Sequence, residues 1–176
     1  MIIKRNQKGP SLKGYKKGLP RGFTFIELMI VVVIIGVISA IAIPRFGRIL
    51  DGLKLKTSGR DIISSLRLAR SYAVTQKYQF GVYFDPENSQ YVLFKDKSNP
   101  GSYTYDGNDS AMQTQILPQN VDFSYSSFSN NVVIFKTNGS ASATGSVDLR
   151  SEGVYDHITV DVLASTGRVK MTKMSY

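Results

Sequence analysis

One carboxylate sits where water is scarce. Glu27 lies inside Phe23–Ile43, a run of 21 residues with no other charged side chain. At the centre of a membrane such a group costs about 2.5–3.5 kcal/mol, and less near the interface. Its presence therefore asks for a cation to pair with. A second constellation, Asp156-His157 near Ser151, has the residue types of a hydrolytic triad. Neighbouring residues on a strand point to opposite faces, so Asp156 could not orient His157 there, and no nucleophile-elbow pattern occurs. Asp106-Gly-Asn-Asp109 has some features of a calcium loop but lacks the acidic ladder and the closing Glu, and reads as a solvated loop. With no Cys and one His, the chain has neither disulfides nor the usual zinc ligand sets. No Gly-rich phosphate loop follows a strand. A last cluster is cationic: Arg168, Lys170 and Lys173. Strand alternation puts 168 and 170 on one face, where they could hold phosphate weakly and in a salt-sensitive way. The expectation is no catalytic residue, no cofactor and no metal.

The elements that carry Glu27 follow from charge and hydropathy. The formal charge is +9, but residues 1–22 hold seven bases and no acid, whereas residues 23–176 hold 15 bases and 13 acids. Most of the excess is thus a short basic leader. As a helix, the apolar run reaches roughly 32 Å at ~1.5 Å per residue, close to the ~30 Å hydrocarbon layer. The basic flank keeps its own side in the cytoplasm. Three fates compete for this segment. It could be a secretory signal peptide cut at Ala40-Ile41-Ala42, an uncut signal anchor, or a leader removed ahead of a surviving helix. Only the last gives Glu27 a use: a helix beginning at Phe23 places it four residues from a new ammonium, its own or a neighbour's.

Arg21-Gly22-Phe23-Thr24-Phe25-Ile26-Glu27-Leu28 resembles the leader and cleavage motif of type IV pilins and pseudopilins. The resemblance implies cleavage by a prepilin peptidase between Gly22 and Phe23, N-methylation of Phe23, and an assembly role for Glu27. Pro44 is equally a helix exit or the mid-helix proline that such proteins often carry.

Beyond the apolar run, Phe46, Ile49, Leu50 and Leu53, then Ile62, Leu66, Ala69 and Ala73, recur at helical spacing and mark one face of an amphipathic helix. Gly47, Gly52 and Gly59 suggest a bend or loosened stretch near 54–60. Arg60, Arg67, Arg70 and Lys77 form a polar face, either solvated or meeting an adjacent subunit. After Tyr78 the period changes to two: Phe80, Val82 and Phe84 alternate, Asp85-Pro-Glu-Asn-Ser89 turns, and Tyr91 and Leu93 return the chain as a hairpin. Residues 96–115 read as a long loop. Further strands are expected at 121–125, 132–136, 146–150, 157–163 and 167–171. The fold class is α+β, a long N-terminal helix packed against an antiparallel β-sheet head. The organisation is a leader at 1–22, a membrane and assembly helix at 23–43, an amphipathic continuation at 44–77 and a β-rich head at 78–176.

Phe135-Lys-Thr-Asn-Gly139, Gly145-Ser-Val-Asp-Leu149, Ile158-Thr-Val-Asp-Val162 and Thr166-Gly-Arg-Val169 resemble the closing strands of the GspH/FimT branch of pseudopilins. That resemblance implies a minor structural subunit of a type II secretion pseudopilus, held in the inner membrane with its head in the periplasm. Its partners would be other pilin or pseudopilin subunits, the prepilin peptidase and an inner-membrane assembly platform. The alternative is a FimT-like minor pilin of a type IV pilus, with nucleic acid as a further partner in DNA uptake.

Overall fold

The computed structural model describes residues 22–97 and 101–174, apart from the side chains of residues 44 and 45. The basic leader through Arg21, and Pro100, lie outside the described residues, as does the side chain of Pro44. Among the described residues one α-helix, α1 (Phe25–Gln76, 52 residues), precedes eight strands. The chain divides into two compact units after Ala40.

The first unit carries the start of α1. Thr24 caps it: its Oγ1 accepts the Glu27 backbone N–H at 3.3 Å, and its carbonyl accepts the Leu28 N–H at 3.2 Å. From Phe25 to Ala40 every residue is exposed, Leu28, Ile34 and Ile38 included. A helix apolar on all sides calls for an apolar surrounding. Among the described residues, α1 is the one helix long and apolar enough to cross a membrane.

In the second unit α1 becomes amphipathic. Leu55, Ile62, Leu66, Ala69 and Ala73 are buried along one face. They cover the inner faces of two antiparallel sheets. Sheet A has the order β3-β2-β1-β5, from β1 (Phe80–Asp85), β2 (Gln90–Lys95), β3 (Ser110–Ile116) and β5 (Val132–Phe135). Sheet B has the order β4-β6-β7-β8, from β4 (Val121–Ser126), β6 (Gly145–Ser151), β7 (Val154–Leu163) and β8 (Arg168–Met174). Period-two alternation sends Phe80, Val82, Phe84, Leu93 and Phe135 inward from sheet A, and Val147, Leu149, Val160 and Val162 inward from sheet B. Asp85 closes the β1–β2 hairpin by accepting from the Asn88 backbone and from the Asn88 and Gln90 amides. Burial pushes its carboxyl upward, but these donors outweigh it and hold it below the usual carboxylate range.

Phe46, Ile49, Leu50 and Leu53, expected to share the face of Ile62 and Leu66, lie on the opposite side of α1 and are exposed. Three further features differ from the sequence expectations. First, α1 runs through residues 54–60 without a break. Gly59 serves close approach instead: a Cβ there would lie 2.8 Å from Ile158 Cγ2 and 3.2 Å from Met171 Sδ. Second, the strands divide into two sheets. Third, the segment 96–115 is not all loop. β3 pairs along β2 from Lys95↔Ser110 to Gln90↔Ile116, and six of its seven residues are exposed. A strand wet on both faces has no apolar alternation to announce it. The preceding residues also pack: Tyr105 lies 4.8 Å from the Phe94 ring and 5.1 Å from Tyr83, over a second small cluster of Val92, Phe94, Val132 and Ile134 on the outer face of sheet A.

Candidate functional sites

The N-terminal site is built by the Thr24 cap. Gly22, Phe23 and Thr24 precede the first helical residue, so the Gly22–Phe23 bond lies outside α1 on exposed backbone. Phe23 is 83% exposed. Glu27 occupies the third position of the helix, where the uncompensated N–H groups and the helix dipole favour a carboxylate. Thr24-x-x-Glu27 is the sequence of a capping box. Its capping role was legible in that spacing, although the cleavage motif draws the eye first.

A second site joins elements about a hundred residues apart. Arg60, Arg67 and Arg70 of α1 and Arg168 and Lys170 of β8 line one open groove of about 860 Å³, with Ile63, Val169 and Met171 as its apolar floor. Five cations and no acid line it, and none of the five has an ion pair among the described residues. Like charges gathered this way repel one another, and an anionic ligand would relieve that. Asp161 sits opposite Lys170 in the β7–β8 register.

Backbone geometry sets the groove's upper end. The Arg70 Nε–H donates to the Gly139 carbonyl at 3.0 Å. Gly167 turns the chain into β8 at φ +61°, and a Cβ there would collide with the Gly139 oxygen and lie 2.9 Å from Arg70 Nε. Only glycine fits that junction. Thr166 Oγ1 then accepts the Arg168 N–H at 3.3 Å as the strand begins.

Among the residues singled out in the sequence, Arg168 and Lys170 meet in the groove. Lys173 does not, because it points to the other face of β8 and forms an ion pair with Asp156. Arg60, Arg67 and Arg70 join them, and Lys77, just past the end of α1, does not. Helical spacing of 60, 67 and 70 marks a shared face, but their meeting with β8 is a tertiary fact. Asp156 and His157 share β7, with His157 opposite Arg150, and Ser151 opposite Val154. In Asp106–Asp109 the carboxylates accept backbone N–H groups of Asn108, Asp106 and Lys97, as polar loops do.

Comparison with known proteins now has a geometry to attach to. The family model described as type II transport protein GspH matches residues 58–166, and the prokaryotic N-terminal methylation motif matches residues 20–43. The fold is similar to that of the minor pseudopilin EpsH of the Vibrio cholerae type 2 secretion system, at TM-score 0.54 and 12% identity over 68% of this chain and 96% of that one. It is also similar to the type IV minor pilin FimU of Pseudomonas aeruginosa, at TM-score 0.53 and 11% identity over 67% and 87% of the two chains. The type IV major fimbrial protein FimA of Dichelobacter nodosus is 67% identical over 30 residues, 17% of this chain and 19% of FimA. A fimbrial protein of Pseudomonas aeruginosa is 36% identical over 73 residues, 42% of this chain and 47% of that protein. The chain thus spans less than a fifth of FimA and about half of the fimbrial protein. The structural likenesses establish a pilin-like fold, and with the family match over more than half its length, the chain belongs to the GspH family of type II transport proteins and carries the prokaryotic N-terminal methylation motif.

Proposed function

We propose that this protein is a minor pseudopilin, a structural subunit of a type II secretion pseudopilus that is stored in the inner membrane and assembled after removal of residues 1–22. The observation that carries the proposal is the placement of Gly22–Phe23 on exposed, non-helical backbone directly ahead of a capped apolar helix with Glu27 in its first turn. A peptidase needs a reachable bond outside regular secondary structure, and exposure of Gly22 and Phe23 ahead of the helix supports this reading. Cleavage creates an ammonium at Phe23, the residue the prepilin motif marks for N-methylation, and a methylated amine stays cationic at neutral pH. In the fibre, Glu27 of one subunit pairs with the amine of another, so two unfavourable charges cancel. Hydrophobic area does not drive the transfer, because lipid is as apolar as the neighbouring helices. Close packing and charge pairing favour it, with work supplied by an inner-membrane assembly platform. Mass spectrometry of the protein from cells tests the proposal: a methylated Phe23 terminus is expected, and a chain still carrying its leader, or beginning at Ile43, refutes it.

The basic groove favours a second reading, a FimT-like minor pilin that captures DNA during uptake. Five clustered cations suit a phosphate backbone, and such contacts weaken steeply with salt. Filter binding of the protein across a salt series decides: absence of binding at low salt removes this reading and leaves the first intact.

A further inference from the structure

We infer that the groove between α1 and β8 is a docking cleft for an extended segment of a neighbouring protein subunit, one whose side chains alternate acidic and apolar and which joins sheet B as a further strand. The inference rests on the reading of this chain as one subunit among others. Residues 166–171, from the turn into β8 onward, line the groove without a gap. Consecutive strand residues point to opposite faces, so a cavity that meets every one of them runs along the strand's edge and not over a face. β8 ends the order of sheet B, and that edge has no neighbouring strand among the described residues. The backbone N–H and C=O groups along it are those that an added strand would use.

Length and chemistry describe the occupant. From Arg60 to Arg70 the helical wall is about 15 Å long, and residues 166–171 extend over roughly 17 Å. An added strand advances about 3.3 Å per residue, so about five residues fit. One alternate row of its side chains runs beside Arg168 and Lys170, and the other beside Val169 and Met171. Carboxylates suit the first row, and the arginines of the opposite wall add to the demand for negative charge. Apolar side chains suit the second row. Bases on an edge strand ordinarily keep other copies of a protein from pairing with it. The same bases select a strand of opposite charge. Nowhere in this chain do acidic residues stand at three alternate positions, which favours a different subunit over a second copy. Nucleic acid fits less well. Among the described residues no aromatic side chain lines the groove to stack bases, and phosphates have no use for an apolar floor.

Fluorescence anisotropy tests this on the full-length mature chain, purified from membranes in a zwitterionic detergent, with a labelled peptide alternating glutamate and valine as the probe. The probe should bind, and a peptide of the same composition with its glutamates grouped should bind several-fold more weakly. Only alternate amides of an added strand face β8. Methylating that set of peptide nitrogens should weaken binding by about tenfold or more, as lost hydrogen bonds do, and methylating the other set should change it by less than about twofold. Arg67→Gln, at an exposed position, should weaken the probe several-fold and leave the urea midpoint of the head unchanged, which separates lost binding from lost folding. Equal effects of the two methylated sets, or equal binding of the grouped peptide, show attraction of bare charge and overturn the added strand. Binding of single-stranded or duplex DNA without binding of the peptide overturns it in favour of the DNA reading. Binding of neither overturns it and leaves the subunit reading intact, because the mass of the N-terminus decides that reading separately.

Discussion

The two stretches of α1 solve different problems with one secondary structure. From Phe25 to Ala40 the helix is apolar on every side, exposed throughout, and carries one charge in its first turn. From Ile41 to Gln76 it buries one stripe under two sheets and turns arginines outward. A helix without a polar face belongs in an environment without water, and its specificity then rests on the rare charged group. A helix with two faces has its specificity written in packing. The first stretch should tolerate any apolar residue and fail on charge. The second should fail on volume.

The largest expected effect tests the charge. Glu27→Lys should abolish incorporation into the fibre while membrane insertion continues, read by fractionating membranes and sheared fibres. Normal incorporation would break the comparison at its strongest point. Volume comes next. Leu66→Ala, at a fully buried position, should cost about 2–5 kcal/mol of head stability in a urea titration. Ile34→Ala, half exposed in the first stretch, should leave that titration unchanged. A smaller change should come from Thr24→Ala, which removes the cap and should weaken the first helical turn by about 1 kcal/mol, seen as faster hydrogen exchange at the Glu27 amide. The smallest sharpens the second reading of function. If the groove holds DNA, Arg67→Gln should lower the slope of log affinity against log salt by about 1 and weaken all sequences alike.

The parts legible in the sequence are those whose cause is local. Glu27 stands out because its neighbours are uniformly apolar, and the β1–β2 hairpin because Phe80, Val82 and Phe84 alternate ahead of a turn-forming pentapeptide. β3 was not legible, since its exposed residues carry no pattern and only the free side of β2 makes a strand of them. Gly59 reads as a helix weakener in one dimension and as a contact point with Ile158 in three. The groove needed the same step: its arginines and its β8 bases are each a charged surface by themselves, and folding alone makes them one site. Lys173 went the other way, from an apparent member of the cluster to the partner of Asp156.

The bond from Arg70 to Gly139, with Gly167 pressed beneath it, ties the ends of two loops to a single guanidinium on the helix. That arginine is thereby immobilised before any anion arrives. A ligand entering the groove meets a preset socket at this end and forfeits little side-chain freedom in using it. At the other end Arg60 is exposed and makes no side-chain hydrogen bond among the described residues, so affinity gained by stiffening the site is to be sought there.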